Sequence, residues 1–358
     1  MFRSVSRFAQ TACTLAVLAV ASTASPAMAA DKEFKVCWSI YAGWMPWGYL
    51  QDSGIMKKWA DKYGVKIDIV QINDYVECIN QYTAGAFVGA TSTTMDAISI
   101  PAAGGVDTTV LIAGDYSNGN DGVILKGKDK LEDIKGQKVN LVEFSVSHYF
   151  LARALESVGM TERDVTIVNT ADPDMIAAYP TEGVTAMVTW NPMLATIDAM
   201  DGANLVYDST KIPGEIVDAM IVNTEVLKAN PELGKALTGA WLEVLALMQS
   251  DTPEGKAALE AMAKASGATL AEYEMQVSKT KLFFTAPDLL AFTTDAKMKE
   301  AHDFVRKFLF EKGLLGQGAT SPDAIGIEFS DKSVLGDANN IKLRFNADFV
   351  KMAVDGKL

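Results

Sequence analysis

The chain has 358 residues, 49% hydrophobic and 22% charged, a composition that excludes a disordered segment and accommodates two domains of ordinary size. Its 45 acids against 32 bases give a formal net charge of -13, which excludes a protein that grips nucleic acid through its phosphates.

Arg3 and Arg7 are followed by the apolar run Ala12 to Ala21, then Pro26 and the small-x-small sequence Ala27-Met28-Ala29. That is the pattern of a secretory signal peptide, residues 1–29, cleaved near Ala29. The run falls short of the roughly 20 residues that a membrane anchor needs. The mature chain is therefore expected to be soluble and outside the cytoplasm. Cys13 leaves with the leader, and Cys37 and Cys78 remain. In an oxidising compartment these two either pair, tying the first strand to the second helix, or stay as buried free thiols.

Phe34 to Ile40 reads as a strand, and Pro46 opens a helical stretch that ends near Tyr63-Gly64. Val65 to Ile72 alternates as a second strand, after which Asn73 or Asp74 caps a helix running to Thr83. Phe87 to Ala90 is a third strand, Thr93 or Thr94 caps the next helix, and Thr108 to Ala113 is a fourth strand. Strict alternation of this kind predicts a parallel sheet covered by helices on both faces.

After the bend Asp115 to Gly122 the alternation restarts. Strands are expected at Val123 to Lys126, Lys138 to Val142, Val165 to Asn169, Thr185 to Val188 and Asn204 to Tyr207. Helices are expected at Ser147 to Val158, Pro173 to Tyr179 and Pro192 to Ala199. Ala219 to Asn223 is a last apolar strand before a helical region in which Leu233, Leu237, Trp241, Val244 and Met248 recur at helical spacing, with Trp241 read as core. Farther on come an amphipathic helix from Thr294 to Lys312, a strand from Lys342 to Asn346 and a helix from Asp348 to Val354, read together as a brace for the first lobe.

The fold expected is α/β and two-lobed, each lobe a mostly parallel sheet flanked by helices. Lobe 1 takes residues 30–118 and 222–358, with the C-terminal extension, and lobe 2 takes 119–221. The two hinge crossings fall near Asp115 to Gly122 and near Asp218 to Asn223. Ligands of open α/β sheets lie beyond the carboxyl ends of the strands, so the strand-to-helix loops of both lobes should face one cleft.

His148 and His302 belong to no metal-binding pattern, and the chain has no Walker A sequence, no GxSxG elbow and no dinucleotide fingerprint. No metal, no cofactor and no catalytic group is expected. The cleft loops are instead aromatic and acidic. Trp44 and Trp47 flank Met45-Pro46, and the remaining loops bring Asp74, Thr93, Asp96, Asp115, Glu143, Ser145, Trp190 and Glu215. Aromatic faces combined with carboxylates suit a small flat cation. For each acid, a helix N-terminal charge is the competing reading, and core packing is the competing reading for each tryptophan.

Leu131-Glu132-Asp133-Ile134-Lys135-Gly136, the stretch Phe144-Ser145-Val146-Ser147-His148-Tyr149 and Trp190-Asn191-Pro192 occur in that order. They resemble motifs of the taurine, nitrate and aliphatic-sulfonate type of periplasmic substrate-binding protein, which serves ABC importers. The resemblance implies a type II periplasmic-binding-protein fold, a periplasmic monomer, a small-molecule ligand and a membrane permease as partner.

The chain departs from that family at Phe144 with Glu143 before it, where sulfonate binders carry Gly-Ser, and at Asn191, where they carry Asp. The run Tyr41-Ala42-Gly43-Trp44-Met45-Pro46-Trp47-Gly48-Tyr49 is most similar to the subgroup associated with urea carboxylase. That likeness implies a small nitrogen compound, guanidinium ahead of urea. Taurine, another sulfonate or nitrate is the alternative within the family. A thiamine-pyrimidine synthase, whose cysteine-rich motif is absent here, is a distant one, and a sensory or chaperone-like module shares the clamp.

Overall fold

The computed structural model describes residues 32–358. The leader read at residues 1–29, with Cys13, lies outside them. Among the described residues thirteen strands form two sheets. The first lobe begins with β1 (Glu33–Trp38), β2 (Lys66–Gln71), β3 (Gly89–Thr93) and β4 (Thr108–Tyr116). The second holds β5 (Asp121–Lys126), β6 (Lys138–Leu141), β7 (Thr166–Asn169), β8 (Ala186–Trp190) and β9 (Ala203–Asp208). The chain then returns through β10 (Val217–Asn223), and β11 (Gly326–Glu328), β12 (Val334–Leu335) and β13 (Ile341–Phe345) complete the first sheet. The orders are β12-β11-β13-β4-β10-β3-β1-β2 and β7-β6-β8-β5-β9.

Local chemistry sets most boundaries. The stretch opened by Pro46 is two helices, Met45–Asp52 and Ile55–Tyr63, because Gly54 sits at φ 78° and breaks the ladder between them. Asp74 caps the helix Tyr75–Thr83 by accepting from Glu77 N–H at 2.9 Å, and Thr93 caps the turn Thr94–Ala97 by accepting from Asp96 N–H at 3.2 Å. Cys37 on β1 and Cys78 on that first capped helix form a disulfide, which resolves the two readings left open above.

Both sheets are mixed, where strict alternation predicted parallel pairing. β10 runs antiparallel to both β3 and β4, and β5 runs antiparallel to both β8 and β9. The reason is topological. A strand reached through a helix on its own sheet ends at the cleft, whereas a strand entered directly from the other lobe starts there. The second crossing consequently spans 209–216, ahead of β10, and not Asp218 to Asn223, which lies inside the first sheet. The two crossing segments are tied together by a 2.7 Å hydrogen bond between Ser117 Oγ and Ser209 Oγ.

Trp241 lies in the long helix Pro231–Met248 and is core, 1% exposed and pressed on Gly114 of β4. The C-terminal region adds its strands beside β4, with Leu343 to Phe345 pairing parallel to Thr108 to Val110. No helix among the described residues is long and apolar enough to cross a membrane.

Candidate functional site

Strand ends and strand starts from both lobes build one cage. Past β1 come Tyr41 and Trp44; Tyr75 opens the helix after β2; Thr93 ends β3. Asp218 is the second residue of β10, Asp121 starts β5, Trp190 ends β8, and Val146 and Ile216 complete the lining. The rings form a chain: Tyr41 and Trp44 meet edge to face at 5.2 Å, Trp44 and Tyr75 lie 5.6 Å apart, and Tyr75 and Trp190 meet edge to face at 5.8 Å. They surround a cavity of about 20 Å³. On a scale where one water takes about 10–15 Å³, that suits a ligand of only a few heavy atoms.

The lobes are closed on one another by direct bonds. Ala42 N–H donates to Asn191 O at 3.2 Å, Trp190 Nε1–H to Ile40 O at 3.2 Å, and Tyr75 N–H to Asp172 Oδ1 at 3.2 Å.

Four buried carboxylates belong to the cage and its backing: Asp96, Asp115, Asp121 and Asp218. Asp96 Oδ2 accepts from Tyr75 O–H at 2.6 Å, from Thr93 O–H at 2.9 Å and from the Val146 N–H of the second lobe at 3.3 Å. Asp115 Oδ1 accepts from Tyr41 O–H at 3.2 Å. Asp96 Oδ1, Asp115 Oδ2 and Asp218 Oδ2 are buried with no hydrogen-bond partner. No residue lining the cavity is Lys or Arg.

Burial without a positive neighbour disfavours the ionised form. It pushes Asp96 up to about 6, against three hydrogen bonds that pull the other way, and Asp121 up to about 7. Asp115 is pushed to about 7, again by burial first, and Asp218 rises well above the ordinary carboxylate range through burial and then the charges of Asp115 and Asp121. No group of three or more His, Cys, Asp or Glu among the described residues could hold a metal ion.

Of the residues singled out from the sequence, Trp44, Thr93 and Trp190 line the cavity, and Asp96 anchors its wall. Asp115 stands behind, in an adjoining space it shares with Trp47 and Asp218. Trp47 is 1% exposed and stacked on Trp241 at 4.8 Å: it lies inside the helix Met45–Asp52 and packs on the helix Pro231–Met248, whereas Trp44 is the N-cap outside the first turn. Asp74 is a helix cap that lies with Glu143 in a groove at the rim. Ser145 is a buried cap whose hydroxyl donates to Val142 O at 2.7 Å, so it supports Val146 from behind. Glu215 is engaged by Arg153, at 2.9 and 3.1 Å, and by Tyr149.

Tyr41, Tyr75, Asp121 and Asp218 were not singled out. A signal existed for Asp218, an acid between Val217 and Ala219 in an otherwise apolar strand. Asp121 stands directly across from Trp190 in the β5–β8 pairing, and that partnership is written in no local sequence pattern.

A model of the family described as NMT1/THI5 like matches residues 54–251. The chain belongs to that family. Within it, the chain is similar to the taurine-binding periplasmic protein of Escherichia coli (strain K12), 29% identical over 129 residues, which are 35% of this chain and 40% of that protein. The matched segment thus spans well under half of that relative's length. Solved structures of the same fold include the alkanesulfonate-binding protein SsuA from Xanthomonas axonopodis pv. citri bound to MOPS, with a TM-score of 0.65 at 14% identity over 83% of this chain and 99% of that one. The periplasmic nitrate-binding protein NrtA from Synechocystis PCC 6803 gives 0.57 at 12% identity, over 92% and 99%. The NMT1/THI5-like chain therefore has the two-lobed periplasmic-binding-protein fold.

Proposed function

We propose that this protein is the extracytoplasmic solute-binding component of an ABC importer, that it captures guanidinium between its lobes, and that the closed form delivers the ion to a membrane permease. The carrying observation is the set of carboxylates converging on an aromatic cage with no cationic side chain to neutralise them. Guanidinium is flat, so Trp44 or Trp190 can cover its face while Asp121 and Asp218 take its edge hydrogens in pairs. The 20 Å³ cavity favours an ion of that size over a long sulfonate.

A second reading, a sulfonate or nitrate, follows from the likeness to taurine-binding and nitrate-binding proteins. In that reading the amide at the start of the helix Val146–Ser157 would hold the anion. Here that amide already donates to Asp96, so a built-in carboxylate stands where an external anion would bind. Urea, being neutral, would leave several buried carboxylates uncompensated.

Calorimetric titration of the mature chain with guanidinium chloride, urea, taurine and nitrate tests the proposal. One-to-one binding of guanidinium alone is the expected result. Binding of taurine or nitrate in its place would overturn it.

A further inference from the structure

The helix Ala296–Glu311 begins on one lobe and ends on the other. Its buried His302 meets Phe345 of β13 edge to face at 5.0 Å, and Phe329 at 6.0 Å, which seats it on the first sheet. Ten residues after His302, Lys312 at the helix end pairs with Glu162 of the second lobe, both side chains about one-fifth exposed. Phe308 stands edge-on to Tyr149 at 5.2 Å and to His148 at 6.0 Å, both on the second-lobe helix Val146–Ser157. His148 Nδ1 accepts from Phe144 N–H, so the neutral ring carries its proton on Nε2, which is turned toward the same Glu162.

That second-lobe helix is one rigid body with two duties. Its first residue, Val146, walls the cage and donates to Asp96, and two residues later it lies under Phe308. Tyr149 and Arg153, farther along, hold Glu215, whose neighbour Ile216 is another cage wall. Rotating the second lobe away from the first would separate Phe308 from His148 and Tyr149, and Lys312 from Glu162. None of these groups lines the cavity.

We infer that the helix Ala296–Glu311 is a clasp across the lobes, with Phe308 and Lys312 as positioning residues that hold the second-lobe helix in its closed place and so set the affinity of the cage. The inference rests on the reading of the protein as a clamp, but not on the identity of its solute. A ligand that binds the closed form has its apparent dissociation constant divided by the closed fraction, so contacts remote from the ligand enter its affinity directly.

Lys312→Gln, Phe308→Leu and the double variant test this, with Lys299→Gln, an exposed change earlier on the same helix, as control. Small-angle scattering without any solute should show a larger radius of gyration for the double variant than for the wild type, and no change for the control. Titration and stopped flow with guanidinium chloride should show the dissociation constant raised about tenfold, mostly through faster dissociation. Unchanged scattering with unchanged affinity in both single variants and in the double variant would overturn the clasp while leaving the guanidinium reading intact. A scattering shift would support the clasp even if the wild type bound no guanidinium. A loss of melting temperature with neither readout altered would overturn it too, reducing these contacts to ordinary packing.

Discussion

Asp115 and Asp218 stand opposite one another in the β4–β10 pairing, and the Oδ2 atom of each is buried with no hydrogen-bond partner. Two carboxylates in that position cannot both ionise at low cost, and no lysine or arginine lines the cage in front of them. Tyr41 donates to Asp115, and Gly43 leaves room for both: a Cβ there would come within 2.6 Å of Tyr41 Cε1 and 2.8 Å of Asp115 Oδ2. Burial therefore disfavours ionisation of this pair, and a bound cation would favour it.

Replacing Asp218 by Asn should move affinity and stability in opposite directions. A hydrogen bond to a charged group contributes about 1.5–3 kcal/mol, so guanidinium binding should weaken about 10- to 100-fold. The solute-free protein should melt higher at pH 8, because a buried carboxylate facing another carboxylate has been removed. Titration calorimetry and thermal unfolding of the same preparation check both signs.

The pH dependence follows from the same acids. Their folded-state values are raised, Asp96 to about 6 and Asp115 and Asp121 to about 7, so the folded protein binds more protons than the unfolded chain between about pH 4 and 7. The stability they contribute is fully present below about pH 4 and is lost as pH rises through about 7. Guanidinium stays charged throughout and needs the ionised acids. Its affinity should rise from pH 5.5 to 8, with protons released on binding, measured by calorimetry in buffers of different ionisation enthalpy. A flat affinity over that range would contradict the assignment.

The two tryptophans of the first loop should separate cleanly. Trp44→Leu removes a cage face and should weaken guanidinium binding by a factor set by about 0.5–2 kcal/mol. Trp47→Ala empties the stack on Trp241 and should cost about 3–5 kcal/mol of unfolding free energy. Chemical denaturation and ligand titration of the two variants distinguish these roles.

Reducing the Cys37–Cys78 bond, which joins residues 41 apart in sequence, should destabilise the protein by about 2–4 kcal/mol. Denaturant unfolding of the Cys37→Ser, Cys78→Ser double variant measures this.

By itself the sequence determined the alternation of strands and helices, the caps at Asp74 and Thr93, the core place of Trp241 and the aromatic, acidic character of the cleft loops, because periodicity, capping and composition act within a few residues. It also pointed to Trp44, Thr93, Asp96 and Trp190, which stand where strands end at the cleft. Only the tertiary structure decided which side chains of those loops face inward. Trp44 and Trp47 are three residues apart with the same chemistry, yet one walls the cage and the other stacks on Trp241 of the helix Pro231–Met248, almost 200 residues later in the sequence. Asp121 and Asp218 meet because two crossing strands start at the same cleft, which places residues 97 apart in sequence side by side. Strand direction and register are settled by pairing between lobes, and no window of sequence contains both partners.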